Sequence, residues 1–157
     1  MGPCPLYIGA KDMTPHNQLI NHDPENGMYG DCQRTCIAVI LDLHPSEVPH
    51  FCEDPTATRQ DENWWEKRQA RWLHDRGLTA ATVAYSGKSS MSDVMLWTSK
   101  QNPKTPMILL GTSSLGCNHV VVVLNGEIVC DPSGNGLVGP SSEGIWEVSM
   151  LAIGVKT

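Results

Sequence analysis

The chain predicts an α+β domain. Helical patterns occupy its first two thirds, and short apolar runs at 106–111, 119–124, 127–130 and 145–151 follow, so helices and strands are segregated rather than alternating. Asn125-Gly126 between two of those runs is a strong hairpin signal and makes them antiparallel neighbours. With 157 residues, of which 40% are hydrophobic, the chain is long enough for one packed core and short for two, so a single domain over 1–157 is expected.

Taken in order, residues 1–30 carry Pro3, Pro5, Pro15, Pro24, Gly27 and Gly30 and should form an irregular arm wrapped on the domain. From Cys32 to about Leu43 the apolar residues Cys36, Ile37, Val39, Ile40, Leu41 and Leu43 cover a broad helical face, with Asp31 placed to cap the start. Such a helix is expected in the centre of the fold. Pro45 to Pro49 allows a short helical turn at most. Residues 61–76 have acids at the front, bases towards the end and Gly77 just past it, which suits a helix dipole. Trp65, Gln69, Trp72 and Leu73 form its stripe, with Trp64 alongside, and core packing is the favoured reading over ligand stacking. Residues 78–85 read as a strand and Ser92 to about Lys100 as a surface helix. The Val-rich run 119–124 suggests a strand covered on both faces, and 132–144 a Ser/Gly/Pro loop.

The formal net charge of −6, with no Lys/Arg cluster, argues against nucleic acid as a partner. The first residues lack the charged start and apolar stretch of a signal peptide, and no segment is apolar for long enough to cross a bilayer. The expectation is a cytoplasmic protein without a membrane partner. Its six cysteines (4, 32, 36, 52, 117 and 130) are then expected as thiols.

One of those thiols stands apart. Cys32 falls on the first turn of a helix, where unpaired N–H groups and the positive end of the dipole stabilise a thiolate, the nucleophilic form of cysteine. The competing reading is a small buried hydrophobe. A nucleophile needs a base, and His119 opens a strand after the loop 113–118. Asp131, at the far end of the same hairpin, could accept from the imidazole and hold its tautomer. Turn geometry decides whether the two meet. A regular two-residue turn at Asn125-Gly126 sends His119 and Asp131 to opposite faces. A three-residue loop, 124–126, with Gly126 left-handed as a bulge, brings them to one face, and that loop is the expectation.

Gly30-Asp31-Cys32 entering an apolar helix, a glutamine upstream, Asn118-His119-Val120-Val121 entering a strand and Asp131 on the next strand together resemble the papain-like cysteine peptidase superfamily. The closer likeness is to its short bacterial and phage branch near the C39-like peptidases, over roughly residues 16–51 and 106–150. The resemblance implies a papain-like fold in which a nucleophile-bearing helix packs on a mainly antiparallel sheet. It implies Cys32 as nucleophile, His119 as general base and then acid, and Asp131 as its orienting partner. Gln18 would fill the oxyanion-hole position, with Asn26 or Asn17 as substitutes, although fourteen positions separate Gln18 from Cys32, more than in papain itself. The implied activity is a cysteine-dependent hydrolase, a thiol protease or other amide-bond hydrolase working through an acyl-enzyme on a protein or peptide substrate, without a cofactor. The phage flavour suggests action on a host pathway in the host cytoplasm. Two alternatives stand beside it: an acyl or amide transferase or deamidase of the same fold, and a non-catalytic binding protein that sequesters a host protein or small molecule. Substrate identity and oligomeric state are not encoded in any recognisable pattern.

Other candidates are weaker. Cys32 and Cys36 lie one helical turn apart, but His44, His50 and Cys52 complete no familiar zinc spacing, so no metal is expected. Cys36 should pack in the core. His16, His22, His44, His50 and His74 read as surface histidines. Cys130 should point away from Asp131, Cys117 could line the cleft, and the loop 133–136 could bind substrate or merely connect. An arm that narrows the cleft would favour extended peptides or a flexible tail.

Overall fold

The structure, a computed structural model, describes residues 13–53 and 64–154. Cys4, the first prolines of the arm and the acidic front of the second helix, Asp61 and Glu62, lie outside the described residues. Among those described are three α-helices and five strands: α1 (Cys32–Leu41), α2 (Trp64–Asp75), β1 (Leu78–Ser86), α3 (Met91–Gln101), β2 (Met107–Thr112), β3 (Asn118–Leu124), β4 (Glu127–Cys130) and β5 (Ile145–Ile153). The strands form one sheet in the order β1-β5-β2-β3-β4, antiparallel at every pairing. The α+β expectation therefore holds, as does a helix beginning at Cys32.

Helix α1 is apolar nearly all round, and Thr35 to Ile40 are all buried, as a helix of that composition must be. It ends where Asp42 turns left-handed (φ 56°) and returns its N–H to the Ala38 and Val39 carbonyls. The alternation of β3 sorts its valines. Val120 and Val122 pack with Ile37, Ile40 and Leu73 on the α1/α2 side, while Val121 and Val123 pack with Val94 of α3, Met107 and Trp146 on the other. The run is covered on both faces, as its sequence predicts.

The core reading of the α2 tryptophans holds at Trp72, which is partly buried and packs against the core cluster, and not at Trp64 and Trp65. Leu73 is the buried residue of that helix, whereas Trp65 is half-buried beside a cleft, and Trp72 packs edge-on against Phe51 at 5.9 Å with the Arg76 guanidinium 3.7 Å above its ring. An amphipathic helix lying on the rim of a sheet buries a narrow stripe, and bulky side chains beside that stripe stay partly open.

The β3–β4 hairpin corrects the expected loop. Leu124 pairs with Glu127, leaving the two-residue turn Asn125-Gly126 with φ of 50° and 83°. Both residue types tolerate positive φ, and such a turn matches the strand twist. The parity change comes further along. Val123 pairs with Ile128 but Val122 pairs with Cys130, so Val129 is an extra residue and the register shifts by one. This bulge carries Asp131 to the side of His119, which a regular hairpin would not do.

Asp31 is not the cap its position suggests. Its side chain makes no capping bond to α1. It is fully buried, accepts the Ile20 N–H on Oδ1 at 2.9 Å and the Arg34 Nε–H on Oδ2 at 2.8 Å, and donates its own N–H to the Ile20 carbonyl. Arg34 also donates to the Val48 carbonyl at 3.1 Å. A charge taken out of water needs a partner, and the arm and Arg34 supply it. The carboxylate thus clasps the arm to the start of α1.

Candidate functional site

Two cysteines dock α1 on β3 at a single residue. β4 ends at Cys130, so the outer edge of β3 beyond Val122 lacks a strand partner there. The Cys36 thiol donates to the Val120 carbonyl at 3.6 Å, and the Val120 N–H points to the Cys32 sulfur. Cys36 is fully buried, as expected. Cys32 is partly buried and reaches the floor of a cleft.

That cleft has two lobes, of about 480 and 540 Å³. One lies between the start of α1, helix α2 and the sheet face; the other lies between the arm and the loops at 113–118 and 133–135. Cys32, Cys52, Asn118 and His119 line both, so the cysteine and the histidine belong to one cleft where the lobes join.

His119 is almost completely buried, with its Nε2 2.7 Å from Asp131 Oδ1 and 3.0 Å from Ser133 Oγ. Asp131 also accepts from the Gly134 N–H at 3.1 Å and the Gly136 N–H at 2.8 Å. Burial pushes its carboxyl pKa up, but the hydrogen bonds from His119, Gly136 and Gly134 outweigh that and leave it below the ordinary value. The loop 133–136 is therefore a cradle for Asp131. Ser133, read from the sequence only as part of a loop that binds substrate or merely connects, touches both members of the pair. Asp131-Pro132-Ser133-Gly134 does carry the local signal, since Asp commonly accepts from backbone N–H groups just downstream in such turns.

Of the glutamine and asparagine candidates, Gln18 lines the arm-side lobe with Cys32 and His119, whereas Asn17 and Asn26 do not. Its backbone N–H donates to the Pro132 carbonyl at 2.9 Å and its Nε2 to the Ile20 carbonyl at 2.9 Å, leaving a buried Oε1 without a partner among the described residues. Asn21, His22, Tyr29 and Gly30 line the same lobe, so the arm does form one wall of the cleft. Asn26 is spent on Asp23, at 2.6 Å.

Electrostatics differ from what the helix start suggests. Burial pushes the Cys32 thiol up to about 11, against the pull of N–H groups from Val120 and Gln33, and the nearby Asp31 charge raises it further. Desolvation outweighs the helix terminus here, so the resting group is a thiol. Cys52, which no sequence pattern marked, is pushed by burial to about 12. His50 is also corrected: it is buried, with Nε2 2.8 Å from the Tyr29 carbonyl, and burial lowers its pKa. Cys130 points away from Asp131 into the core and donates to the His16 carbonyl at 3.4 Å, and Cys117 lines the arm-side lobe. The described residues contain no group of three His, Cys, Asp or Glu able to hold a metal ion and no helix long and apolar enough to cross a membrane.

No protein-family model matches the chain, and neither a curated protein nor a solved structure matches it.

Proposed function

We propose that this protein is a cysteine-dependent hydrolase of papain-like fold that cleaves a peptide, isopeptide or other amide bond. The observation that carries the reading is the His119–Asp131 pair at 2.7 Å, whose histidine lines, with Cys32, both lobes of one cleft. A cleft running both ways from the thiol can hold substrate on either side of a scissile bond.

The roles follow from which atoms are free. His119 Nε2 is engaged by Asp131 and Ser133, so Nδ1 is the nitrogen that takes the Cys32 proton. The sulfur then attacks the substrate carbonyl carbon, and the carbonyl π pair moves to oxygen. The backbone N–H of Cys32 and the second Nε2 hydrogen of Gln18 are the candidate donors to that oxyanion. The protonated imidazole gives its proton to the departing nitrogen as the C–N bond breaks. Water, deprotonated by His119, attacks the thioester, releasing a carboxylic acid and the free thiol. Because burial raises the thiol to about 11, ionisation depends on transfer to His119 rather than on the helix terminus. Asp131 favours that transfer by stabilising the imidazolium.

The same raised thiol supports a second reading, a cleft that binds without turnover. The pH profile of Cys32 alkylation separates them. Under the hydrolase reading, iodoacetamide labels wild-type Cys32 readily near neutral pH, and His119→Ala removes that labelling, leaving a rate that climbs only towards about pH 10 and above. Superimposable profiles would sink the hydrolase reading in favour of binding. Mass spectrometry of a lysate treated with wild type or Cys32→Ala then distinguishes cleavage from deamidation or transfer.

A further inference from the structure

The α2-side lobe has an asymmetric lining. Its floor and inner wall are apolar, with Ile108, Leu110, Ala80 and Leu73, and Trp65 stands at one side. Two carboxylates complete it from different elements, Glu66 on α2 and Glu147 on β5, and no lysine or arginine lines it among the described residues. Glu147 occupies this side because β5 alternates: Trp146 and Val148 belong to the α3-side core, so Glu147 and Ser149 face the lobe. Neither Glu66 nor Glu147 has an ion-pair partner among the described residues. Burial holds the Glu147 carboxyl above its ordinary value, and the charges of Glu143 and Glu66 add to that, so the region has negative potential to spare.

An apolar trough with an aromatic wall and carboxylates at its mouth suits a group with a long alkyl stem and a cationic head. We infer that this lobe is a specificity subsite for an arginine or lysine side chain of the substrate, the stem lying on Leu110 and Trp65 and the head between Glu66 and Glu147. The inference rests on the hydrolase reading for its connection to catalysis. Binding in the lobe is nevertheless measurable without turnover. A cation there gains from both charges and from the tryptophan face, and a neutral isostere keeps only the apolar contact.

The test uses the full-length Cys32→Ala protein, which cannot turn over, titrated with N-acetyl-arginine methylamide and N-acetyl-citrulline methylamide and followed by amide and indole NMR shifts. The arginine probe should bind about fivefold more tightly than citrulline, the ratio expected of a partly exposed charge pair. Shifts should fall at Ala80, Thr82, Glu147, Ser149 and the Trp65 indole. Glu147→Gln, isosteric and checked for native dispersion, should cut the preference to about twofold or less, while Asp93→Asn on α3 should leave it intact. Equal affinity for the two probes, or shifts confined to the arm-side lobe, overturns the inference. Spermidine binding more tightly than the arginine probe would also overturn it, by assigning the lobe to a free polyamine. A retained arginine preference in a protein whose Cys32 shows no His119-dependent alkylation retires the hydrolase reading alone. An active thiol with no arginine preference retires the subsite alone.

Discussion

Replacing Asp31 by Asn tests whether this carboxylate is a clasp or a helix cap. The side chain is fully buried, and Oδ2 accepts from Arg34 Nε at 2.8 Å while Oδ1 accepts the Ile20 N–H at 2.9 Å. Asn keeps an acceptor for Ile20 but sets an NH₂ against the Arg34 N–H and leaves that guanidinium without its counter-charge. Breaking a buried ion pair costs about 3–5 kcal/mol. Arg34 is 13% exposed and keeps its bond to Val48, so the low end, about 3 kcal/mol, is expected. Loss of a cap alone would cost about 1 kcal/mol. In a chain of 157 residues the clasp value is a fall in Tm of about 6–12 °C. Urea unfolding followed by tryptophan fluorescence, on Asp31→Asn, Arg34→Met and the double variant, gives both the single costs and their coupling. The coupling should be about 1.5 kcal/mol or more, and the Ile20 amide should lose hydrogen-exchange protection. A single cost near 1 kcal/mol with no coupling would refute the clasp and restore the cap.

Four further outcomes follow from the hairpin and the buried histidines. Deleting Val129 removes the extra residue but leaves Cys130 opposite Val122, so Asp131 stays on the face of His119, and the ¹⁵N shift of His119 Nε2 and the His119-dependent alkylation of Cys32 should both be kept; their loss would refute the register reading. The Asp131 carboxyl lies below its ordinary 3.8, so its stabilisation is present above about pH 4 and is lost as pH falls through the folded value; Asp131→Asn should flatten that limb of an acid-unfolding curve. His50 is held below 6.5 by burial, so the unfolded chain takes up its proton first and stability falls as pH drops from about 6.5; His50→Gln should weaken the dependence of Tm on pH between about 7 and 5. Ser133→Ala should cost about 1 kcal/mol and lower Cys32 reactivity near pH 7 without abolishing it, since Asp131 still holds the imidazole.

Much of the fold was legible from residues close to one another. The apolar run after Cys32, the double-sided valine strand and the Asn125-Gly126 turn depend on periods and turn preferences that act over a few positions, and each stands where the sequence predicted. His119 and Asp131 were legible as a pair because one hairpin contains both. The device that joins them was not. No residue type near 129 announces a bulge; Asn125-Gly126 alone suits the two-residue turn that forms, and it was the need to bring His119 and Asp131 to one face that pointed to a three-residue loop. Trp64 and Trp65 misled for a related reason, because a hydrophobic stripe reports that a helix has an inner face and says nothing about how far the sheet extends beneath it. His50 and Cys52 carried no local mark of the burial they acquire against distant segments.

The sequence by itself determined where the helices and strands form, that Cys32 begins a helix and that His119 and Asp131 share a hairpin, because short-range sterics and periodicity decide these things. Tertiary structure alone decided that Asp31 clasps the arm through Arg34 and Ile20, that Gln18 reaches the cleft, and that Glu66 and Glu147 line the same lobe of it. It also decided the state of Cys32. A helix start favours the thiolate through a handful of N–H groups, but the cost of desolvation is set by everything packed around the sulfur, and at Cys32 that packing wins.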